Sequence, residues 1–292
     1  MKTVAVLGAF DNLRSRDVRF LEEASKLGAV HVLLWSDEVV AAETGKPPKF
    51  PLAERHYLLQ AIRYVESVEQ IATLPYDPDV LPAIPGLQPD NWAVTEADDT
   101  PQKRSFCASH GLGYRVFTAE DLAGFPESTE NTRNATRNPT GTLRGTQYAI
   151  SYPPSARPSV IVTGCYDWLH SGHVRFFEEV SELGDLLVAV GNDANVRHLK
   201  GAGHPLQTQE ERRYMVGAIR YVTQALITSG HGWMDAEPEI ARLKPDMYAV
   251  NEDGDVPEKR AFCAGHGLEY VVLKRTPKAG LSRRSSTDLR GF

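Results

Sequence analysis

The segment GCYDWLHSGHVRFFEEV, residues 164–180, carries the residue types and spacing from which chemistry is most readily built. Gly164 and Asp167 follow directly on an apolar run that reads as a strand, and His170 and His173 open a stretch that reads as a helix. A helix start presents unpaired backbone N–H groups and about half a positive charge, so it attracts anions. Gly172, between the two histidines, lets an anion approach the backbone closely. Two imidazoles donating N–H bonds there could hold a phosphate and stabilise the charge that develops as a leaving group departs. A lone histidine at a helix start is as well explained as a cap residue. The whole series of strand, Gly, Asp and His-x-x-His favours work on a phosphate chain.

Such a motif needs a fold to carry it. With 292 residues, 41% hydrophobic and 24% charged, the chain has globular composition and room for roughly two domains. The net charge of −6 supplies no clustered positive field, so no nucleic-acid partner is expected. The opening MKTVAVLGAF runs straight into a strand pattern without the apolar core of a secretion signal, and no apolar run reaches the ~20 residues of a membrane span. Three widely spaced cysteines, Cys107, Cys165 and Cys263, lack metal-ligand spacing and suit a reducing compartment. A cytoplasmic protein without membrane association and without a protein-bound metal is expected.

Those two domains prove to be one unit written twice. At an offset of 156, residues 4–28 match residues 160–184 at 14 of 25 positions, and residues 87–112 match residues 243–268 at 16 of 26. AIRYV recurs at 61–65 and 218–222, offset 157. A repeat this long marks whole domains rather than a solenoid. The expected division is 1–126, a linker rich in Thr, Asn, Pro and Ser over 127–158, and 159–292. The linker's Asn134-Ala135-Thr136 fits a glycosylation sequon, set aside because no secretory signal precedes it. In the second unit strands are expected at 160–163, 186–190, 224–228, 247–250 and 270–273, with helices at 173–183, 210–221 and 258–266. Alternating β and α elements with apolar strands predict an α/β fold: two tandem Rossmann-like domains, each a parallel sheet with helices on both faces. Ligands of such sheets sit beyond the carboxyl ends of the strands.

The series Gly164-x-Tyr166-Asp167-x-x-His170-x-Gly172-His173 resembles the signature of the cytidylyltransferase-like superfamily of nucleotidyltransferases. Further pieces fall in that family's order: Lys200 before Pro205, Glu211-Arg212, Lys244-Pro245-Asp246, Asp253, Arg275-Thr276 and Ser285-Ser286-Thr287-Asp288-Leu289. The resemblance implies direct in-line transfer, in which a substrate phosphate oxygen attacks the α-phosphorus of a nucleoside triphosphate and magnesium-bound pyrophosphate leaves. By the same resemblance His170 and His173 contact the nucleotide phosphates and Lys200 bridges the attacking and attacked groups. Gly164, Tyr166, Asp167, Gly172 and Arg275 line the nucleotide site, Asp253 lies near the nucleoside, and Ser285, Ser286 and Thr287 hold the β- and γ-phosphates, with Mg2+ bound through the triphosphate. Two departures stand out. Asn251-Glu252 replaces the pair of glycines many members carry before the Asp, and the extra residues PKAGLSRR leave open whether Gly280-Leu281-Ser282 or Ser285-Ser286-Thr287 is the phosphate segment. Arg283 and Arg284 could bind phosphate or be a solvated pair, and Ser285 to Thr287 could simply cap a helix.

In the first unit the positions of His170, Gly172 and His173 are Arg14, Arg16 and Asp17. An acidic side chain there opposes phosphate, and Arg16 removes the glycine of close approach, so this copy is expected to be catalytically silent. The tandem arrangement resembles ethanolamine-phosphate cytidylyltransferases, while residues 183–201 resemble the adenylyltransferase domain of ADP-heptose synthases. The expected function is transfer of a CMP or AMP group, CTP slightly ahead of ATP, to a phosphorylated sugar, polyol or amino alcohol. The alternative is an inactive nucleotide-binding or scaffolding protein of the same fold. The two units are expected to form an intramolecular pseudo-dimer, with a homodimer as a further option.

Overall fold

In the computed structural model, which describes residues 2–72, 76–126 and 156–285, each unit forms one five-stranded sheet in which every pairing is parallel. The first unit runs β1 (Thr3–Gly8), α1 (Ser15–Ser25), β2 (Ala29–Trp35), α2 (Asp37–Thr44), α3 (Leu52–Gln60), β3 (Val65–Ile71), β4 (Asn91–Thr95), α4 (Pro101–His110) and β5 (Gly113–Phe117). The second runs β6 (Ser159–Gly164), α5 (Ser171–Leu183), β7 (Asp185–Val190), α6 (Asp193–Lys200), α7 (Gln209–Gly217), β8 (Gln224–Ile227), α8 (Glu237–Leu243), β9 (Met247–Asn251), α9 (Pro257–His266) and β10 (Glu269–Leu273). The strand orders, β3-β2-β1-β4-β5 and β8-β7-β6-β9-β10, are the same order twice. Both are the expected Rossmann-like α/β arrangement.

The central strands explain why. Val4, Ala5 and Val6 in β1 and Val160, Ile161 and Val162 in β6 are all at most 1% exposed, as parallel strands covered on both faces must be. Cys107 and Cys263, at matching places in α4 and α9, are buried fillers, and burial pushes both thiols up, that of Cys107 to about 11. No helix among the described residues is long and apolar enough to cross a membrane. Residues 127–155, most of the expected linker with its sequon, lie outside the described residues.

The helices α6 and α8 were not expected from the sequence. With eight and seven residues they are too short for an apolar period to stand out. α6 is instead specified by its cap, the Asn192 side chain accepting from Asn195 N–H at 2.8 Å. The expected helix over 210–221 ends at Gly217, because the repeated AIRYV leaves the helix to meet the other unit. Ile62 and Ile219 form an antiparallel bridge, Arg63 N–H donates to Ala218 O at 2.9 Å, and Arg220 N–H donates to Ala61 O at 2.8 Å.

The same reciprocity continues in the side chains. Tyr57 donates to Glu178 at 2.8 Å and Tyr214 to Glu22 at 2.9 Å; Ser171 donates to Glu54 at 2.6 Å and Ser15 to Glu211 at 2.6 Å. Each unit thus presents the same patch to the other, as the subunits of a twofold dimer do. One cluster of buried apolar side chains runs through both units, including Val18 and Ile62 of the first and Val174 and Ile219 of the second.

Candidate active site

β6 ends at Gly164, and the chain then turns through Tyr166, whose φ of 51° is left-handed. A Cβ on Gly164 would stand 2.7 Å from the Tyr166 ring, so glycine is required where that ring folds back. The buried Tyr166 ring packs on Phe177 and lies edge-on to His173, with centroids 5.2 Å apart. Burial drives its phenol far above the ordinary range. Tyr166 is thereby a support for the His173 ring.

His170 is the N-cap of α5, and its Nδ1 accepts from Gly172 N–H at 3.1 Å. Acceptance at Nδ1 assigns the proton of the neutral ring to Nε2. The His170 and His173 rings stack, centroids 3.9 Å apart at 25°. His173 is held well below its usual pKa, first by burial, then by His170 and by the charges of Arg275 and Lys200. A hydrogen bond with the Trp168 backbone offsets only part of this. His173 is therefore neutral near pH 7. Gly172 keeps the approach open: a Cβ there would lie 3.0 Å from the His170 ring and 3.3 Å from Arg284 O.

Asp167 is buried, and its oxygens are taken by a loop. Oδ1 accepts from Leu206 N–H at 2.6 Å and Gln207 N–H at 3.2 Å, and Oδ2 lies 2.8 Å from His204 Nδ1. Arg212, fully buried, donates to Cys165 O at 2.6 Å, Gln207 O at 3.1 Å and Asp193 at 2.7 Å. Lys200 is the exposed last residue of α6, close enough for its charge to act on Cys165 and His173. Asp253, in a 3-10 turn after β9 (Glu252–Gly254), pairs with Arg275. Arg275 also donates to Arg284 O at 3.1 Å, so residues 275–284 loop back over the start of α5. Between them runs an open groove bounded by Gly172, Arg175, Asn251, Arg275, Lys278 and Arg284 among others. Ser285 ends the described segment; Ser286 and Thr287 lie outside the described residues.

His170, Gly172, His173, Lys200 and Arg275 are thus gathered at the carboxyl end of β6, with Gly164 and Tyr166 beneath them and Asp253 joined through Arg275. Reasoning from the sequence passed over Glu54, which takes Ser171 Oγ from the other unit, and left Arg284 undecided.

The first unit keeps the supports without the histidines. Asp11 accepts from Lys49 N–H at 2.7 Å and Phe50 N–H at 2.9 Å, as Asp167 does from its loop, and Arg55 donates to Ala9 O, Trp35 O and Asp37 much as Arg212 does. At the start of α1 the Asp17 carboxylate accepts from Arg14 N–H at 2.7 Å, so this helix end is satisfied by its own carboxylate rather than left for an anion. Burial raises the Asp17 pKa despite that bond.

A cytidylyltransferase-like family model matches residues 161–290. The FAD synthase of Archaeoglobus profundus is 38% identical over 133 residues, 44% of this chain and 82% of that protein. The FAD synthase of Pyrococcus horikoshii is 41% identical over 119 residues, 39% of this chain and 78% of that protein. The bifunctional protein HldE of Pseudomonas fluorescens is 31% identical over 227 residues, 70% of this chain and 46% of that protein.

Proposed function

The second half of this chain belongs to the cytidylyltransferase-like nucleotidyltransferase family, and from that premise we propose that it transfers a nucleotidyl group, AMP or CMP, from a nucleoside triphosphate to a phosphorylated small molecule with release of pyrophosphate. The observation that carries the reading is the stacked histidine pair at the start of α5. His173 is held neutral by burial and by the charges around it, and it stacks on His170 beside the glycine of the helix start. His170 caps the helix through Nδ1 and turns Nε2, its other nitrogen, to the phosphate. An α-phosphate at this helix end would meet the two imidazoles within the positive field of the helix start.

The reaction is a single in-line displacement. An acceptor phosphate oxygen forms a bond to the α-phosphorus as the bond to the pyrophosphate oxygen breaks, and the pyrophosphate carries the departing electron pair. Positioning and charge stabilisation then supply most of the rate. His170 and His173 hold the α-phosphate. Lys200, exposed at the end of α6, reaches between the attacking and attacked groups. Gly164, Tyr166, Asp167 and Gly172 shape the cradle, Arg275 lines the nucleotide site, and Ser285, Ser286 and Thr287 hold the β- and γ-phosphates. Asp253 stands toward the nucleoside. Among the described residues no group of three His, Cys, Asp or Glu is placed to hold a metal. Mg2+ brought with the triphosphate would screen its charge.

Two relatives are named for making FAD, an adenine dinucleotide, and on that ground we place ATP ahead of CTP. Sugar, polyol and amino-alcohol phosphates remain the acceptor classes, and flavin mononucleotide joins them. The first unit, 1–126, is the silent copy; 127–158 links it to the active unit, 159–292. The chain works in the cytoplasm as an intramolecular pseudo-dimer. Purified protein incubated with Mg2+, ATP or CTP and each acceptor should release pyrophosphate with at least one pair. Nucleotide binding without pyrophosphate from any pair would leave the inactive binding or scaffolding reading in its place.

A further inference from the structure

Glu54 lies on α3 of the silent unit and is 1% exposed, and a buried carboxylate needs partners for its charge. It finds them across the interface. Ser171 Oγ, between the two motif histidines, donates to Oε1 at 2.6 Å. Arg284 Nη2 donates to Oε2 at 2.7 Å, and its Nε lies 3.0 Å from Oε2 and 3.2 Å from Oε1. One carboxylate thus fastens together the start of α5 and the segment that leads into Ser285. These are the two stretches that the proposed function brings to one phosphate chain.

Glu211 stands at the pseudo-twofold mate of this contact. Glu211, the counterpart of Glu54, takes Ser15 Oγ at 2.6 Å, and among the described residues its other side-chain partner is Gln207 Nε2 of its own unit, at 3.3 Å. Among the described residues an arginine joins this contact on the Glu54 side. Arg284 is further fixed by the Phe50 ring, 5.4 Å from its guanidinium, and by Arg275, which donates to its carbonyl. Silent-unit residues therefore hold the Arg284 side chain, while Arg275 joins its backbone to Asp253.

We propose that Glu54 is a positioning residue for the nucleotide site, supplied by the unit that has lost its own histidines. This rests on the nucleotidyltransferase reading above. Glu54 touches no nucleotide; it sets the place of Ser171 and Arg284 before the nucleotide arrives. Without it the 275–285 segment would have to be ordered at the moment of binding, and that cost would come out of the affinity. The opposite consequence is also physically available: a carboxylate that competes with phosphate for Arg284 would weaken binding, and its removal would strengthen it.

The experiment is equilibrium binding of Mg-ATP, Mg-CTP, AMP and CMP to the full chain, to Glu54→Gln, to Arg284→Gln and to the double variant, with thermal midpoints recorded for each. Each single change should weaken triphosphate binding about fivefold or more, and the double should be no weaker than the weaker single, because both break one linkage. Monophosphate binding should stay within about twofold, since the fastened segment serves the outer phosphates; a general loss of structure would lower both together. Should Glu54→Gln not fold, Arg284→Gln carries the test by the same comparison of tri- and monophosphate. Unchanged or tighter triphosphate binding, equal losses of both ligands, or additive losses overturn the inference while wild-type binding keeps the functional reading standing. A wild-type chain that binds neither triphosphate overturns both.

Discussion

The guanidinium of Arg14 lies 4.2 Å above the ring of Trp168, joining the residue that replaces the first motif histidine in one unit to the loop just before His170 in the other. The residue that stands where the other unit has His170 is thus part of the contact between units. A partly buried cation over an indole is worth about 0.5–2 kcal/mol. In a double-mutant cycle of Arg14→Ala and Trp168→Ala, read by denaturant unfolding, a coupling of about that size is expected. Additive effects would mean that the two side chains merely lie near each other.

His170 caps α5, and the proposed function gives it a second task that substitution can separate from the first. Its Nδ1 caps α5 and its other nitrogen is the donor assigned to phosphate. Asparagine is a good N-cap, so His170→Asn should hold stability within about 0.5 kcal/mol, whereas His170→Ala should lose about 1 kcal/mol. Both should lower pyrophosphate release by more than about tenfold. Turnover that survives in His170→Asn would reduce His170 to a cap.

The histidine pair and the doubled fold were legible because their signals are local or periodic: His-x-x-His within one helix start, apolar runs at strand spacing, and an offset of 156. AIRYV was legible as a repeat but not as an interface, since only packing shows that Ile62 meets Ile219. The hydrogen bonds of Asp167 could have been anticipated from the repeat. Asp11 persists in the copy without histidines, which points to a shared task in holding the loop. Glu54 and Arg284 were beyond reach: their positions differ by 230, and nothing in local pattern joins a buried carboxylate on α3 to a basic residue past β10.

His173 should leave a signature in stability against pH. Its folded pKa lies well below the ordinary 6.5, so between those two values the unfolded chain binds the extra proton and the folded chain does not. Stability from this group is therefore complete above about pH 6.5 and declines as pH falls toward the folded pKa, with a slope of at most about 1.4 kcal/mol per pH unit. Unfolding of wild type and His173→Asn compared from pH 8 to pH 5 should show the wild type losing its advantage on the acid side. Parallel curves would mean that His173 protonates as freely folded as unfolded.

The silent unit should also be needed for the active one to remain a soluble monomer. Residues 156–292 expressed alone would expose Ile219 and Val222, both at most 2% exposed in the full chain, together with Tyr214 and Met215. They would also strip Glu178 of the Tyr57 hydroxyl and Ser171 of the Glu54 carboxylate. An apolar patch of that kind is covered by association, and the surface already complements a twofold-related copy of the same fold. Sedimentation should find the isolated half dimeric or aggregated, and its triphosphate affinity should fall with the loss of Glu54. If the fragment stays monomeric at tens of micromolar, with the affinity and turnover of the full chain, the first unit has no structural part in the site.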